Sequence, residues 1–451
     1  MVSGTAYVTY RALRTDDANT LQTINGGTDP ASVVVSKFGH ADPDGVLAFG
    51  VLCAMEGAIG TDVRFISVAS NDLAGYTAAL AAVREVDAGW GIVPLSNDQA
   101  IRLLFKSTAL ARSSSEQAKW SVTFLGQDLV ESNPVLTVDA DGYELQATVL
   151  DDPDTTGTQF TLVNDEGGSF ITSGVRAGDV IRTQYTTDGF GTDIYSEYTI
   201  DEVVTNETLR LINGPDSEIS LASKYEIHRP LNTQEQAEDF GSRASVLSDR
   251  RVRVCFPAAP KRAGVAYPNY FMAATLSGLR SNAYPHQPLS NNAVPGWDDM
   301  SQASITFADQ LNTLLNYGVW IVTQDIGTAG VTGAPYTYRQ VTTDLSDLRN
   351  LEDSIVANGD AIARFVRQQF AGTTGKQNIF PGQLSKIEAQ LSAILESLGQ
   401  VANDDFGPQV ISYNIIQVRQ HAIYRDRVFA QVRVTVPTPL NELEIQLDLV
   451  I

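Results

Sequence analysis

Apolar and polar residues in the first 127 positions follow two alternating patterns. Period-two alternation, as in "TAYVTYRAL" (5–13), predicts strands, whereas the mostly apolar run "VLAFGVLCAMEGA" (46–58) predicts a buried helix. Further predicted strands are "VRFISVAS", "WGIVPLS" and "WSVTFLG", and further predicted helices are "AGYTAALAAVREV" and "AIRLLFKSTALARSSS". Strands and helices in alternation predict a layered α/β domain.

Helical periodicity is absent from residues 128–230. Short strand-like runs such as "YELQATVL", "TQFTLV", "YSEYTIDEVV" and "ETLRLI" are separated there by Asp, Gly, Asn and Pro. This segment has 20 acidic and 5 basic residues, a net charge of −15. It is therefore predicted to be an inserted small all-β domain with a solvated exterior.

The α/β pattern resumes at about residue 231. The runs "VLSDRRVRVCFPAAP" (246–260) and "VWIVTQD" (319–325) predict strands. The run "PNYFMAATLSGLRSN" (268–282) predicts a helix whose small residues suit close packing. A second helix is predicted for "FADQLNTLLNYG" (307–318), with Gly318 as its left-handed stop.

Two long helices are predicted near the C-terminus. In the first, over 345–370, Asp344 is the predicted N-cap, Asp347 completes an acidic capping box and Gly372 is the stop. Its apolar positions recur at helical spacing and are Leu348, Leu351, Ile355, Ile362 and Phe365. The second starts after Pro381, carries Leu384, Ile387, Leu391, Ile394 and Leu398, and ends at Gly399. One apolar face on each predicts packing on a common sheet.

The last predicted strands are "NIIQVRQH", "VFAQVRVTV" and "LNELEIQLDLVI". In the third, residues 440–451, the apolar positions are Leu443, Ile445, Leu447, Leu449 and Ile451, which alternate with Glu444, Gln446, Asp448 and Val450. A strand with one apolar face aggregates if its edge is left unpaired. We therefore predict that residues 440–451 pair with another strand.

Composition narrows the possible partners. The 451 residues carry a net charge of −22, which disfavours nucleic acid and anionic membranes as partners, because both attract basic surfaces. Cys53 and Cys255 are far apart in apolar runs and are predicted to be buried free thiols. No leader-like segment and no run of about 18 apolar residues occurs, so neither a signal peptide nor a membrane span is predicted.

Candidate chemistry is sparse, and we predict neither an enzyme nor a cofactor. The four histidines, His40, His228, His286 and His421, show no metal-ligand spacing with another His or Cys. "FGHADPDG" around His40 is interpreted as a turn instead of a metal loop. "GTTGKQN" (372–378) lacks the spacing of a phosphate-binding loop and follows a helix, so it is interpreted as a linking turn.

Five segments, in order along the chain, resemble one known family. They are "DLAGYTAALAAVREVDAGWGIVPLSND", "NYFMAATLSGLRSNAYPHQPLSNNAVPGW", "FADQLNTLLNYGVWIVTQD", "QVTTDLSDLRNLEDSIVANGDAI" and "GKQNIFPGQLSKIEAQLSAIL". Together they resemble contractile tail sheath proteins of bacteriophages. The likeness runs from about residue 5 to 451 and is weakest over 128–230.

The resemblance implies an α/β (α+β) multidomain fold. Its expected parts are an α/β core domain (1–127 and 231–300), the inserted all-β domain on the outer surface (128–230) and a tube-facing C-terminal α/β domain (301–451). Neighbouring subunits are expected to complete the C-terminal sheet with exchanged strands, for which 440–451 is the candidate donor. Sheath members usually carry an N-terminal arm before the α/β region. This sequence starts close to that region, so either the arm is absent or the true start is missing.

The implied function is structural. Copies of the chain would stack as hexameric rings around an inner tail tube and contract, driving the tube through the bacterial envelope to deliver the genome. The implied partners are further copies, the tube protein, and baseplate and tail terminator proteins. The implied location is the virion, after assembly in the host cytoplasm. Candidate tube contacts are Lys376, Lys386, Arg364 and Arg367.

Three alternatives stay open at this point. A sheath-related baseplate or tail-completion protein would share the sequence signals without forming a polymer. An enzyme on the α/β region would need Ser, His and Asp together, and the histidines stand in no recognisable nucleophile motif. A secreted β-rich adhesin would fit the acidic insertion, but a leader is not found and the flanking regions are α/β.

Overall fold

A computed structural model gives the fold of the chain. It describes residues 18–84, 90–114, 117–138, 145–151, 159–165, 167–187, 193–212, 219–221, 225–300, 305, 308–324, 333–372, 376–400, 402–403 and 406–439. The chain divides into two units. The first comprises Met1–Asp128 and Phe240–Ile451, and the second comprises Leu129–Asp239. The predicted strand at 5–13 lies outside the described residues.

The N-terminal part of the first unit alternates strands and helices, as predicted. Its elements are β1 (Leu21–Ile24), α1 (Pro30–Phe38), α2 (Val46–Gly57), β2 (Val63–Ile66), α3 (Leu73–Arg84), β3 (Gly91–Ile92), α4 (Gln99–Arg112) and β4 (Val122–Leu125). Asp29 and Asp98 cap α1 and α4 by accepting hydrogen bonds from backbone N–H groups in the first turns. Helix α1 was not predicted.

The second unit is built on one antiparallel sheet. Its strands are β5 (Ser132–Val138), β6 (Leu145–Asp151), β7 (Gln159–Asn164), β8 (Val180–Thr187), β9 (Asp193–Val203), β10 (Thr208–Ile212), β11 (Ile219–Leu221) and β12 (Tyr225–Pro230). The spatial order is β11-β6-β7-β10-β9-β8-β12-β5. One face buries a core that includes Phe170, Ile181, Ile200 and Ile227. The described residues between 132 and 230 form short strands joined by turns, in agreement with the pattern of the sequence.

The chain continues through fifteen more described elements. They are α5 (Thr233–Ser245), β13 (Val252–Phe256), β14 (Lys261–Arg262), β15 (Val265–Ala266), α6 (Tyr270–Asn282), α7 (Ala308–Asn316), β16 (Val319–Thr323), β17 (Tyr336–Arg339), α8 (Leu348–Leu351), α9 (Asp353–Ala371), α10 (Pro381–Gln400), β18 (Ala402–Asn403), β19 (Gly407–Pro408), β20 (Ser412–Gln420) and β21 (Val428–Thr435). Helix α5 was also not predicted. Mixed helices and sheets in two units confirm the predicted multidomain α/β class.

The central sheet of the first unit has the order β17-β16-β13-β4-β3. Strands β3, β4, β13 and β16 are parallel and β17 is antiparallel to β16. All residues of β4 and β13 are buried, which explains why both strands are near-continuous apolar runs in the sequence. The predicted strand in "WGIVPLS" is present, although only Gly91 and Ile92 are paired.

Helices α2 and α6 pack with their backbones close together. A Cβ on Gly57 would lie 2.1 Å from the carbonyl oxygen of Thr275, and one on Gly278 would lie 2.1 Å from that of Ala54. The two glycines therefore permit a contact that no larger residue allows, since real Cβ atoms do not approach so closely. The predicted close packing of the small-residue helix is confirmed. Cys53 of α2 and Cys255 of β13 are free and buried, also as predicted.

The single helix predicted over 345–370 is wrong, because the segment forms α8 and α9 with a break at Glu352. Asp347, instead of Asp344, caps α8 by accepting from the backbone N–H of Arg349 at 2.8 Å. Glu352 is extended (φ −79°, ψ 119°), and its buried carboxylate accepts from Arg339 Nη2 at 2.7 Å. A buried carboxylate needs such a partner, so the ion pair outweighs local helix propensity.

The other predicted helix stops are near their observed places. Gly318 adopts the predicted left-handed conformation after α7 (φ 77°). Gly372 follows α9 directly, but with right-handed helical angles. Helix α10 begins at Pro381 and runs one residue beyond Gly399.

Candidate assembly site

The described C-terminal region contains a β-hairpin, residues 412–435, formed by β20 and β21. Tyr413 pairs with Val434 and Ile415 with Val432, so these four side chains share one face. That face packs on a buried apolar cluster contributed mainly by α9 and α10, whose members are Ile362, Leu391, Leu395, Leu398 and Val410. Alternation in the sequence therefore sets which side of the hairpin meets the helices.

Polar contacts fix the base of the hairpin to α10. The hydroxyl of Tyr413 donates to Glu396 Oε1 at 2.8 Å and lies 2.6 Å from Ser392 Oγ. The chain just before the hairpin is held by α9, since Asn358 Nδ2 donates to the carbonyl oxygen of Gln409 at 2.8 Å. The hairpin is thus positioned by both helices.

Among the described residues, neither outer edge of the hairpin has a neighbouring strand. Within the described part of the chain, β20 and β21 pair only with each other. Each edge therefore presents a row of backbone N–H and C=O groups, and such groups are a template for a further strand. A two-strand layer is about 10 Å wide, whereas two packed helices span about 20 Å. The hairpin can cover only about half of such a helix pair.

Apolar side chains at the start of α10 remain partly exposed. Phe380, just before the helix, is 50% exposed, and Leu384 and Ile387 are half-buried. On α9, Phe365 and Val366 are half-buried against the same cluster that the hairpin covers. These five residues, which we call the open apolar strip, are suited to receive apolar side chains from an added strand.

A buried charge cluster ties α9 to the central sheet. Arg253 of β13 donates through Nε to Asp353 Oδ1 at 2.7 Å, and both side chains are fully buried. Arg280 of α6 approaches the other oxygen of Asp353, with Nε 3.8 Å from Oδ2. Two turns further along α9, Asp360 accepts from Arg251. The cluster fixes the first half of α9 to β13 and α6.

Trp90 adds an aromatic contact to this charge cluster. Its indole Nε1 donates to Asp360 Oδ2 at 2.8 Å, and the Arg253 guanidinium lies 5.2 Å from the centroid of its ring. Burial lowers the pKa of the Arg253 and Arg280 guanidinium groups, and the charge of Asp353 opposes this effect. The carboxylate of Asp353 therefore offsets part of the cost of burying these two arginines.

The tip of the hairpin is a second exposed surface. Ile423 is 79% exposed and Tyr424 is 51% exposed. The Arg427 guanidinium lies 4.4 Å from the centroid of the Tyr424 ring. Exposed aliphatic, aromatic and arginine side chains together are typical of protein interfaces.

Comparison with known proteins identifies the fold. No protein-family model and no curated protein matches the sequence. The structure resembles the sheath of an extracellular contractile injection system, PVC, in its contracted state, with a TM-score of 0.54 at 11% identity. The likeness covers 97% of this chain and 89% of the PVC chain. The chain has a contractile-sheath fold.

Two other solved structures are more distant. The sheath tail protein from Desulfitobacterium hafniense gives a TM-score of 0.32 at 9% identity, over 75% of this chain and 88% of that one. The baseplate of the anti-feeding prophage gives a TM-score of 0.37 at 14% identity. That match spans 45% of this chain and about half, 56%, of the baseplate chain. The predicted resemblance to tail sheath proteins is confirmed as a likeness of fold, through the PVC sheath.

The predicted tube-contact residues lie on α9, on α10 and in the segment that joins them, but in different surroundings. Arg367, Lys376 and Lys386 are exposed. Arg364 is half-buried, and its Nη2 donates to the carbonyl oxygen of Trp120 at 2.6 Å. Arg364 therefore takes part in internal packing, whereas the other three are accessible. Their contact with a tube stays a prediction.

The predicted donor residues lie outside the part of the chain that the structure describes. Leu443, Ile445, Leu447, Leu449 and Ile451 all belong to 440–451, which lies outside the described residues. The described chain reaches residue 439, four residues beyond the end of β21. Pairing of 440–451 with another strand stays a prediction.

Sequence reasoning missed the buried charge cluster and the exposed hairpin tip. The alternation of Arg251 and Arg253 with valines in "RVRVCF" was a usable signal, since arginine in a strand buried on both faces requires a carboxylate partner. The identity of that partner was not readable, because Asp353 is 100 positions away.

Metal-binding groups and membrane-spanning helices were considered for the described residues. They contain no group of three His, Cys, Asp or Glu side chains that could hold a metal ion. They also contain no helix long and apolar enough to cross a membrane. His40 lies 3.5 Å from Asp42 at a half-exposed turn, in keeping with its interpretation as a turn residue.

Proposed function

We propose that this chain is the structural subunit of a contractile phage tail sheath. Copies polymerise as stacked hexameric rings around an inner tail tube, and contraction of the lattice drives the tube through a bacterial envelope for genome delivery. The observation that carries this proposal is the sheath fold extending over 97% of the chain. The role is structural, without catalysis.

The open hairpin supports polymerisation through exchanged strands. Its two edges offer backbone hydrogen bonds and the open apolar strip offers apolar contacts, and an added strand uses both kinds of interaction. The proposed donor is residues 440–451 of a neighbouring subunit. Its apolar face, Leu443 to Ile451, would cover the helices where the hairpin does not.

The remaining parts of the proposal concern placement in the particle. The C-terminal domain faces the tube, which Arg367, Lys376 and Lys386 contact through exposed charges. The acidic second unit lies on the outer surface, where its charge is best solvated. The partners are further copies, the tube protein, and baseplate and tail terminator proteins, and the assembled location is the virion.

Negative-stain electron microscopy of the purified full-length chain tests the proposal. We expect tubes or stacked rings with a regular axial repeat, either from the chain alone or after addition of the tube protein. Six-fold symmetry in end-on views would support hexameric rings.

The baseplate or tail-completion alternative predicts a different particle. A protein of that kind would give small discrete complexes, and tubes would be absent under both conditions. Such a result would contradict a sheath role while leaving the sheath fold intact.

A further inference from the structure

The hairpin is basic, whereas the chain as a whole is acidic. Residues 412–435 contain four arginines and one aspartate, although the net charge of the chain is −22. A local charge of opposite sign on an open surface indicates an acidic partner.

Two of these arginines lie on the face of the hairpin that points away from the helices. Arg433 stands between Val432 and Val434, which face the helices, and it pairs across from Asn414. Arg419 pairs across from Phe429, and its guanidinium lies 5.4 Å from the centroid of that ring. Both arginines are exposed, one on each strand. An incoming strand therefore meets an arginine on the outward face at either edge.

We infer that this arginine face receives the acidic face of residues 440–451 from a second copy, and that charge pairing selects that strand. The inference rests on the proposed function, which it deepens by naming the chemistry of recognition. Residues 440–451 contain three carboxylates, Glu442, Glu444 and Asp448, and no basic side chain. Their charge of −3 balances the +3 of the hairpin.

The alternation of apolar and polar residues in 440–451 determines which side chains can face the hairpin arginines. If Leu443, Ile445 and Leu447 face the helices as Ile415 and Val432 do, then Glu444 and Asp448 share the outward face with the arginines. Directly opposite residues on neighbouring strands have Cβ atoms about 5 Å apart, within reach of an arginine–carboxylate pair. A segment entering with its faces reversed would expose its leucines and lose the arginine–carboxylate pair.

The connection to β21 favours a second copy over the same chain. Residues 436–439, Val-Pro-Thr-Pro, form neither turn nor bend. Proline fixes its own φ, and the residue before a proline is restricted to extended conformations. With prolines at 437 and 439, the chain is held extended where a return to β21 would need a tight turn. An immediate return of the chain to its own hairpin is thus disfavoured.

Cross-linking between two separately labelled preparations of the full chain tests the inference. One preparation carries Gln446→Cys on the acidic face, and the other carries Gln431→Cys on β21 or Gln417→Cys on β20. A short bismaleimide can then join only different molecules. Native Cys53 and Cys255 are fully buried, so the introduced thiols react selectively.

We expect a cross-linked dimer, and the reactive partner position identifies the edge that is used. Arg419→Glu with Arg433→Glu in the hairpin preparation should reduce dimer yield about fivefold, because attraction becomes repulsion across the strands. Glu444→Lys with Asp448→Lys in the other preparation should restore it. Arg176→Glu, an exposed charge reversal in the second unit and outside the hairpin, is the matched control and should leave the yield unchanged.

The failing outcomes are distinct. If the charge-reversal variants give the same yield of cross-linked dimer as the parent, charge pairing does not select the strand, although strand exchange itself would still stand. Cross-links confined to single molecules, in a protein carrying both cysteines, would overturn the second copy as occupant. Absence of tubes from the parent protein would instead contradict the proposed function.

Discussion

Among single residues, Asp353 has the strongest predicted effect on stability, because it is the common partner of Arg253 and Arg280. All three side chains are at most 2% exposed. In Asp353→Asn an amide N–H faces Arg280 and two buried guanidinium groups lose their counter-charge. Removing one partner of a buried ion pair typically costs about 3–5 kcal/mol. We expect the urea midpoint of the first unit to fall by about 1 M.

Tryptophan fluorescence measures this unit selectively, since all four tryptophans, Trp90, Trp120, Trp297 and Trp320, belong to the first unit. Asp347→Asn is the matched control. It also neutralises an arginine-paired aspartate, but that pair is solvent-exposed and Asn still caps α8. Equal midpoints for Asp353→Asn and the parent would show that the buried charges are compensated in another way.

Tyr76 gives the first unit a predicted sensitivity to alkaline pH. Burial, with a smaller contribution from Tyr270, raises the pKa of the Tyr76 hydroxyl to about 12 from an ordinary value near 10. Because the folded-state pKa is the higher one, stabilisation by the neutral hydroxyl is complete below pH 10 and is lost as the pH rises towards 12. Tyr76→Phe should therefore lose less stability than the parent over this interval.

The measurement is the tryptophan-reported urea midpoint at several pH values from 8 to about 12. Tyr284→Phe, at a position 57% exposed, is the control and should follow the parent curve. Parallel curves for the parent and Tyr76→Phe would contradict the role assigned to this hydroxyl.

At the scale of elements, residues 440–451 have the most direct predicted role. Deleting them should leave a folded subunit with the parent's urea midpoint but without tube formation, because the open hairpin edges then lack their added strand. Electron microscopy and sedimentation measure polymerisation, and tryptophan fluorescence measures folding.

A full-length variant shows whether polymerisation requires the apolar face of residues 440–451 or only the presence of the segment. Ile445→Asp with Leu447→Asp keeps the segment but removes its apolar alternation, and it should also fail to polymerise. Gln446→Asp changes the opposite face and should still form tubes. Normal tubes from the deletion variant would show that the C-terminal strand is not an intermolecular donor.

Elements with strong periodicity could be predicted from the sequence, and weakly patterned ones could not. Helices α2, α6 and α10 were predicted because their apolar positions or small residues form continuous faces. Helix α5 was missed because it is largely polar, and its buried apolar side chains are only Ala237, Phe240 and Ala244. Helix α1 contains three consecutive valines, which favour strands, although Asp29 and Pro30 are good helix-start signals.

The hairpin's role as a site depends on information that local pattern does not contain. Its two strands were predictable from the alternation of apolar and polar residues. Whether another strand pairs with their outer edges depends on segments far away in the sequence, which local alternation does not reveal. The break at Glu352 has the same origin. Its carboxylate is bound by Arg339, and no periodicity within 342–370 indicates that partner.

At the scale of the whole assembly, binding between sheath and tube is predicted to be electrostatic, with each contact contributing little free energy. A contracting sheath must release its tube, so few exchangeable charges suit the interface better than a large apolar one. Exposed pairs contribute about 0–1 kcal/mol each, and repetition around rings adds them. Lys376→Glu with Lys386→Glu should abolish co-assembly on tubes at low salt while leaving the subunit folded. Arg176→Glu, an exposed reversal in the second unit, is the control.

The second unit enters and leaves the chain at neighbouring points. Ser132 of β5 pairs with Pro230 of β12, and the N–H of Leu231 donates to the carbonyl oxygen of Glu131 at 2.9 Å. A three-residue Gly-Ser-Gly linker can therefore replace residues 131–231 without stretching either end. We expect the first unit of this variant to keep its tryptophan-reported midpoint.

Tube formation by the excised protein tests where the second unit lies. If it is on the outer surface, as proposed, the variant should still form tubes. Excision changes the net charge of each subunit from −22 to −8. Repulsion between neighbouring tubes falls accordingly, so the variant tubes should bundle side by side at low salt, where the screening length is longest. A folded variant that forms no tubes would place the second unit at contacts within the lattice instead.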